Sequence, residues 1–171
     1  MTTAELIPSA LEEGHTSEVR DGGFHCQATY HVDAPPDKVL AAFQGDWDAW
    51  WTSGRRLDVR VDDRGVTRWK FLPIRLTGAF VWFDMAMQPP RVEKNAAGQP
   101  EKIVLSFTLG GACDGPARYE IYGAPGGKSF VRGIWSGVRP NGWRRLATGM
   151  LGQVHLFTER RAIANLARVV A

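Results

Sequence analysis

From Phe24 to Val32 the chain alternates, with Phe24, Cys26, Ala28, Tyr30 and Val32 on one face and His25, Gln27, Thr29 and His31 on the other. A period of two predicts a half-buried strand. Asp33-Ala34-Pro35-Pro36 stops it, and first-turn prolines suit a helix start because they forfeit no helical hydrogen bond. A short helix is expected through Lys38 to Phe43, with Val39, Leu40 and Phe43 as its apolar side. Gly45 ends it, and Asp46 is placed to cap a second short helix from Trp47 to Trp51.

Strand patterns then dominate. Leu57, Val59 and Val61 alternate with Asp58, Arg60 and Asp62; Val66 to Leu72 returns after the Asp63-Arg64-Gly65 turn. A long strand is expected from Leu76 to Gln88, its odd positions (Ala79, Val81, Phe83, Met85, Met87) facing inward and its even ones mixing Phe80 and Trp82 with Asp84. Further strands are read at Arg91 to Lys94, Ile103 to Leu109, Ala117 to Tyr122 and Phe130 to Arg139. A terminal helix runs from about Trp143 to Val170, with Asn141 as its cap. Leu146, Met150, Val154 and Phe157 fall at helical spacing on it and predict an inward stripe, with Leu151, Ala162 and Leu166 further round. Residues 1 to 22 read as an N-terminal arm, with a helical turn around Ala4 to Glu13, and residues 23 to 171 as one domain.

With 171 residues the chain is long enough for one domain with a full core. Apolar residues make up 44% and charged residues 23%, which is ordinary for a globular protein. No apolar run is long enough to span a bilayer, and the first residues lack a basic-then-apolar leader, so a cytoplasmic protein is expected. Cys26 and Cys113 form no disulfide framework and read as free thiols. The net charge of +3 is a mild excess that reads as a solvated helix surface, and it argues against nucleic acid as a partner. Seven tryptophans are a heavy load, suited to a packed core or to the wall of a small-molecule site.

The order of elements is strand, two short helices, about six strands and a long helix. With the strand end, Ala34-Pro35, Val39 four residues after Pro35 and a Trp-rich second helix, it resembles the START-like, Bet v 1-like helix-grip superfamily, also called SRPBCC. The resemblance spans roughly residues 23 to 170 and is nearest to small bacterial members that include polyketide cyclase/dehydrase-like proteins and lipid carriers. It implies an α+β fold of about seven antiparallel strands curled around the C-terminal helix, with an apolar cavity between them. No universal catalytic residue comes with it.

The expected function is binding of a hydrophobic small molecule, lipid or polyketide-like, in that cavity. The ligand-binding candidates are Trp50, Trp69, Phe71, Phe83, Met85, Phe107, Ile121, Met150, Val154 and Phe157. Gly149 and Gly152 open a side-chain-free patch on the helix at a cost of about 1 kcal/mol each, which is either room for a ligand beside the helix, with Gly149 a binding candidate, or close packing on a strand, or a kink or break. The alternative is a cofactor-free cyclase, aromatase or dehydratase, with Tyr30, Tyr119, Arg132 and His155 as candidates for proton transfer and orientation. A third is a protein-interaction module using exposed Trp47 and Trp82. No motif for a phosphate, a metal or a covalent nucleophile appears, so no cofactor is expected. The partner is then a hydrophobic small molecule, with no integral membrane segment, on a monomer or homodimer.

Overall fold

The computed structural model describes residues 6–51, 54–73 and 83–171. In chain order the elements are β1 (Gly14–Arg20), β2 (Gly23–Val32), α1 (Pro36–Gln44), a 3-10 turn (Trp47–Ala49), β3 (Gly54–Val61), β4 (Thr67–Pro73), β5 (Phe83–Met87), β6 (Arg91–Lys94), β7 (Pro100–Gly111), β8 (Cys113–Ala124), β9 (Lys128–Pro140), a second 3-10 turn (Gly142–Ala147) and α2 (Thr148–Val170). The described strands form one curved, open antiparallel sheet in the order β1-β2-β9-β8-β7-β5-β4-β3, with β6 alongside β7. Among the described residues no helix is long and apolar enough to cross a membrane. The part of the expected long strand before Phe83, including Ala79, Phe80, Val81 and Trp82, lies outside the described residues.

The sheet bends because its longest pairings are interrupted. β2 and β9 slip register between Phe24 and Cys26, and β8 and β9 slip between Asp114 and Ala117. Each extra residue kinks its strand and increases the local twist, so the sheet curls into a trough. α2 lies across that trough.

The N-terminal arm proves to be part of the sheet. β1 pairs with β2 from Gly14 opposite Thr29 to Arg20 opposite Gly23. Before it, the Ile7 N–H donates to the Pro100 carbonyl (3.1 Å) and the Ser9 N–H to the Gly123 carbonyl (2.8 Å). Leu6 is buried. Residues 6–13 carry no helical turn, and Ala4 lies outside the described residues. β1 shows no alternation because it is an edge strand held by its backbone, and six of its seven residues are exposed.

Local signals for α1 and the turn after it are as expected. Pro36 stands in the first turn of α1, and the Asp46 carboxylate accepts from the Asp48 N–H at 3.0 Å. Asn141 does not cap its helix. Its amide instead donates to the Gly111 carbonyl (2.8 Å) and the Asp114 carboxylate (2.7 Å), joining the ends of β7, β8 and β9.

The largest correction concerns which face of α2 is inside. Its buried residues are Thr148, Gly152, Leu156, Glu159, Ala162, Ile163, Leu166 and Val170. The expected stripe of Leu146, Met150, Val154 and Phe157 lies further round, and Leu146 is 95% exposed. The true stripe runs at spacings of three and four but contains a glycine and a glutamate, so hydropathy alone favours its neighbour. Gly152 sets the approach: a Cβ there would stand 3.3 Å from both the Phe24 Cβ and the Ser17 Oγ, and 3.5 Å from the Cys26 Sγ. It therefore serves close packing on β1 and β2. The C-terminal half of α2 is tied down by the Lys38 ammonium on the Val170 carbonyl (3.4 Å) and the Asn165 amide on the Trp50 carbonyl (3.3 Å).

Two substitutions check this packing. Gly152→Val is expected to destabilise by about 1–3 kcal/mol in urea unfolding, as an overpacked contact does. Gly149→Ala is expected to be neutral or to stabilise by up to about 1 kcal/mol through helix propensity, since the nearest atom to its added Cβ is a side-chain methyl of Val19 at 3.6 Å.

Candidate functional site

The N-terminal half of α2 does not meet the sheet everywhere. Between Leu151, Val154, His155, Phe157 and Thr158 of the helix and the trough lies a hollow of about 330 Å³. Its other walls are Phe24 of β2, Phe71 of β4, Phe83 and Met85 of β5, Phe107 and Leu109 of β7, Cys113 and Tyr119 of β8, and Trp135 and Val138 of β9. Trp47 and Trp51 complete the wall. The volume lies near the lower end of the roughly 300–1,000 Å³ usual for ligand sites. Phe157, 69% exposed, marks where the hollow reaches the surface. A wider, more open depression of about 590 Å³ has exposed charged residues of β3, β4 and β5 (Asp58, Arg60, Arg68, Lys70, Asp84) among its walls, beside Trp69, Met85 and Leu109.

The trough floor is stiffened by rings. Phe43 packs on Trp50 and Tyr119 with centroids 5.0 and 4.9 Å apart, and Trp47 packs on Trp50 and Trp69 at 5.0 and 5.4 Å. Such tilted and edge-on pairs add to the roughly 1.5–3 kcal/mol gained by burying each large side chain. The Trp47 indole N–H donates to the Phe43 carbonyl at 2.5 Å.

Of the ligand-binding candidates, Phe71, Phe83, Met85, Phe107, Val154 and Phe157 stand on the hollow's wall. Trp50 and Ile121 do not: both are fully buried in the solid part of the core. Trp69 is buried behind Trp47 and touches the outer depression instead. Gly149 abuts Val19, and Met150 is 63% exposed. The exposed-tryptophan reading loses Trp47, which is buried, while Trp82 lies outside the described residues.

The polar candidates separate in the same way. Tyr119 and His155 line the hollow. Arg132 points away from it. Its Nε donates to the Thr29 hydroxyl (3.2 Å), and its guanidinium lies 4.0 Å from Glu120. Glu120 also pairs with Lys102 (3.1 Å) and Arg118 (3.2 Å). Burial opposes ionisation of Glu120, but these cations and the Tyr122 hydroxyl (2.7 Å) hold its carboxyl below the usual range. Tyr30 is half-buried, and its hydroxyl donates at 3.2 Å to a group that the sequence pattern does not single out, the Glu159 carboxylate.

Glu159 is fully buried. Its carboxylate accepts from Tyr30 and from the Trp135 indole N–H at 3.3 Å. Its Oε1 lies 3.8 Å from the His155 Nε2. A Cβ on Gly133 would collide with this carboxyl, so β9 is glycine where the acid enters. Burial pushes the acid up to about 7, against the opposing pull of the Trp135 and Tyr30 donors and of the nearby Tyr119 hydroxyl. Burial likewise pushes His155 down to about 3, so it is a neutral imidazole at physiological pH. Its ring sits on Trp135 with centroids 3.9 Å apart.

Two buried polar atoms at the hollow are left without a hydrogen-bond partner: the Tyr119 hydroxyl and the His155 Nε2. Tyr119 is close enough to feel Glu159, which with burial raises its phenol well above the usual value, yet no aligned hydrogen bond forms between them. An orphaned buried donor or acceptor costs about 1–3 kcal/mol. The hollow is thus apolar over most of its wall, with two unsatisfied polar atoms on residues that both neighbour Glu159.

No family model and no curated protein matches the chain. Solved structures do. The human StarD13 (DLC2) lipid transfer and protein localization domain superposes with a TM-score of 0.67 at 14% identity, covering 94% of this chain and 90% of that one. The protein TTHA0849 from Thermus thermophilus gives 0.62 at 14% identity over 85% and 96%. A STAR-related lipid transfer protein from Xanthomonas axonopodis gives 0.61 at 10% identity over 89% and 92%.

The acid makes a pH prediction. A carboxyl whose folded value is raised from 4.5 to about 7 stabilises the fold fully below pH 4.5 and loses that contribution as pH rises through 7, a loss of roughly 3 kcal/mol at about 1.4 kcal/mol per pH unit. Glu159→Gln removes this dependence. Its melting temperature relative to the parent is expected to climb between pH 5 and 8 in thermal melts; a constant offset would contradict the assignment. Gly133→Ala is expected to destabilise by about 1–3 kcal/mol, and by less in a Glu159→Ala background.

A curved antiparallel sheet closed by one long C-terminal helix, with these structures superposing over most of their length, is the START/Bet v 1-like helix-grip fold.

Proposed function

We propose that the protein binds a neutral, largely apolar small molecule bearing one hydrogen-bonding oxygen, held in the hollow under α2. The observation that carries this reading is the pair of unpartnered buried atoms, the Tyr119 hydroxyl and the His155 Nε2, on an otherwise apolar wall. A ligand hydroxyl or carbonyl placed there satisfies what the protein leaves open, while its hydrocarbon body replaces empty space beside Leu151, Val154 and Phe107. An anionic head group is disfavoured. No lysine or arginine is among the described lining residues, and Glu159 stands behind the polar end with its own negative charge above pH 7. The lipid-transfer names of the human and Xanthomonas neighbours support an apolar ligand in this fold. Two buried, unpaired cysteines support a reducing compartment such as the cytosol.

A second reading is acid–base catalysis on a polyketide-like substrate in the same hollow. It is favoured by a neutral imidazole and a phenol on the same wall, both neighbours of Glu159 and of a kind able to move a proton at a ligand carbonyl. Glu159 would then be a positioning residue, because it does not line the hollow.

Trp47, Trp51 and Trp135 are on the wall, so their emission reports occupancy. Titration at pH 8 with 1-decanol, 2-decanone and decanoate is expected to show the two neutral compounds binding at least about ten-fold tighter than the acid, a difference of about 1.4 kcal/mol. Tyr119→Phe is expected to narrow that gap, and Val154→Trp to abolish binding of all three with the fold intact by circular dichroism. No binding of any compound, or decanoate binding most tightly, would overturn the reading.

A further inference from the structure

At its N-terminal end α2 carries an apolar face that stays exposed among the described residues. Trp143 and Leu146 of the preceding 3-10 turn and Met150 and Phe157 of the helix follow one another at helical spacing, and they are 69%, 95%, 63% and 69% exposed. Scattered exposed apolar residues need no explanation, but a contiguous row does. Basic groups flank it at both ends. Arg144 and Arg145 lie in the 3-10 turn, with the Arg144 guanidinium 5.4 Å from the Trp143 ring centroid. Arg160 and Arg161 continue the exposed side of the helix beyond Phe157. The adjoining edge of β1 adds Val19, 53% exposed, next to a Glu18–Arg20 ion pair (3.8 Å) that brings no net charge.

We propose that this face is a docking surface for an anionic lipid bilayer. Its chemistry is that of a helix lying in a membrane interface: large apolar side chains on one face, a tryptophan among them, and arginines on the flanks where lipid phosphates would stand. A second copy of the chain fits less well. A two-fold contact through this face sets basic ends against each other, Arg144 and Arg145 meeting their own copies or Arg160 and Arg161, and Glu18 beside Val19 is already paired with Arg20. The position is informative as well. Phe157 belongs both to this row and to the wall of the hollow, so a bilayer held here faces the mouth through which an apolar molecule passes without crossing water. The surface stands independently of what the hollow holds.

The test is co-sedimentation of the intact protein with phosphatidylcholine vesicles, with and without about 30% phosphatidylglycerol. Binding is expected only to the anionic vesicles and is expected to weaken at least about ten-fold in about 0.5 M salt. Leu146→Asp and Arg145→Glu, at solvent-exposed positions outside the hollow, are each expected to reduce it at least about ten-fold with unchanged circular dichroism. Val154→Trp, which fills the hollow, is expected to leave it intact, separating this surface from the ligand reading. The proposal is overturned by no binding to either vesicle, by binding indifferent to Leu146→Asp and Arg145→Glu, or by a dimer in sedimentation velocity that Leu146→Asp disperses.

Discussion

A carboxyl enclosed by protein must be neutral or surrounded by donors, and Glu159 takes something of both. It is sited where the long helix crosses the bend of the sheet, and the wall around it is arranged to receive it. Gly133 yields the space on β9, Tyr30 and Trp135 supply hydrogen bonds from β2 and β9, and His155 stands one helical turn before it. An all-apolar contact of the same volume would be at least as stable. The acid instead fixes how α2 lies on the trough, because the helix cannot roll or slide without stranding a buried carboxyl. With the helix so fixed, and with Gly152 drawing it onto β2, its first turns span a gap that the side chains do not fill.

The gap and its polar corner belong together. Because Trp135 and Tyr30 are engaged with Glu159, Tyr119 and His155 are left facing the hollow unpaired. Desolvation keeps the imidazole uncharged and the phenol protonated, so the corner offers a neutral acceptor or donor and a hydroxyl in place of an ion pair. On that corner rests the proposal of a ligand polar at one end, entering through the face where Phe157 meets solvent.

Much of the fold is legible in the sequence. Alternation locates β2 and the inward face of β5, where Met85 and Met87 are buried, and Pro36 and Asp46 mark the start of α1 and of the turn after it. What fails does so for physical reasons. β1 has no apolar face to betray it. The buried stripe of α2 contains Glu159 and Gly152, residues that count against burial on any hydropathy scale, so the pattern favours the more apolar row from Leu146 to Phe157 as the inside. The signal is present nonetheless: Leu156, Glu159, Ile163 and Leu166 keep a three-and-four spacing, and a glutamate in phase with such a row marks a buried acid. Trp50 and Ile121 cannot be told from wall residues, because a filled core and a lined cavity draw on the same side chains.

The proposed function rests on the space between Leu151 and Phe107 being empty, apolar and ready to be entered. A crystal of the protein pressurised with xenon tests this most directly, since dry apolar cavities take up the gas. Xenon density between α2 and the strands β5, β7 and β9, beside an unmoved Tyr119, is the predicted result. A trough filled by rotated tryptophan rings, with no xenon in it, would contradict it.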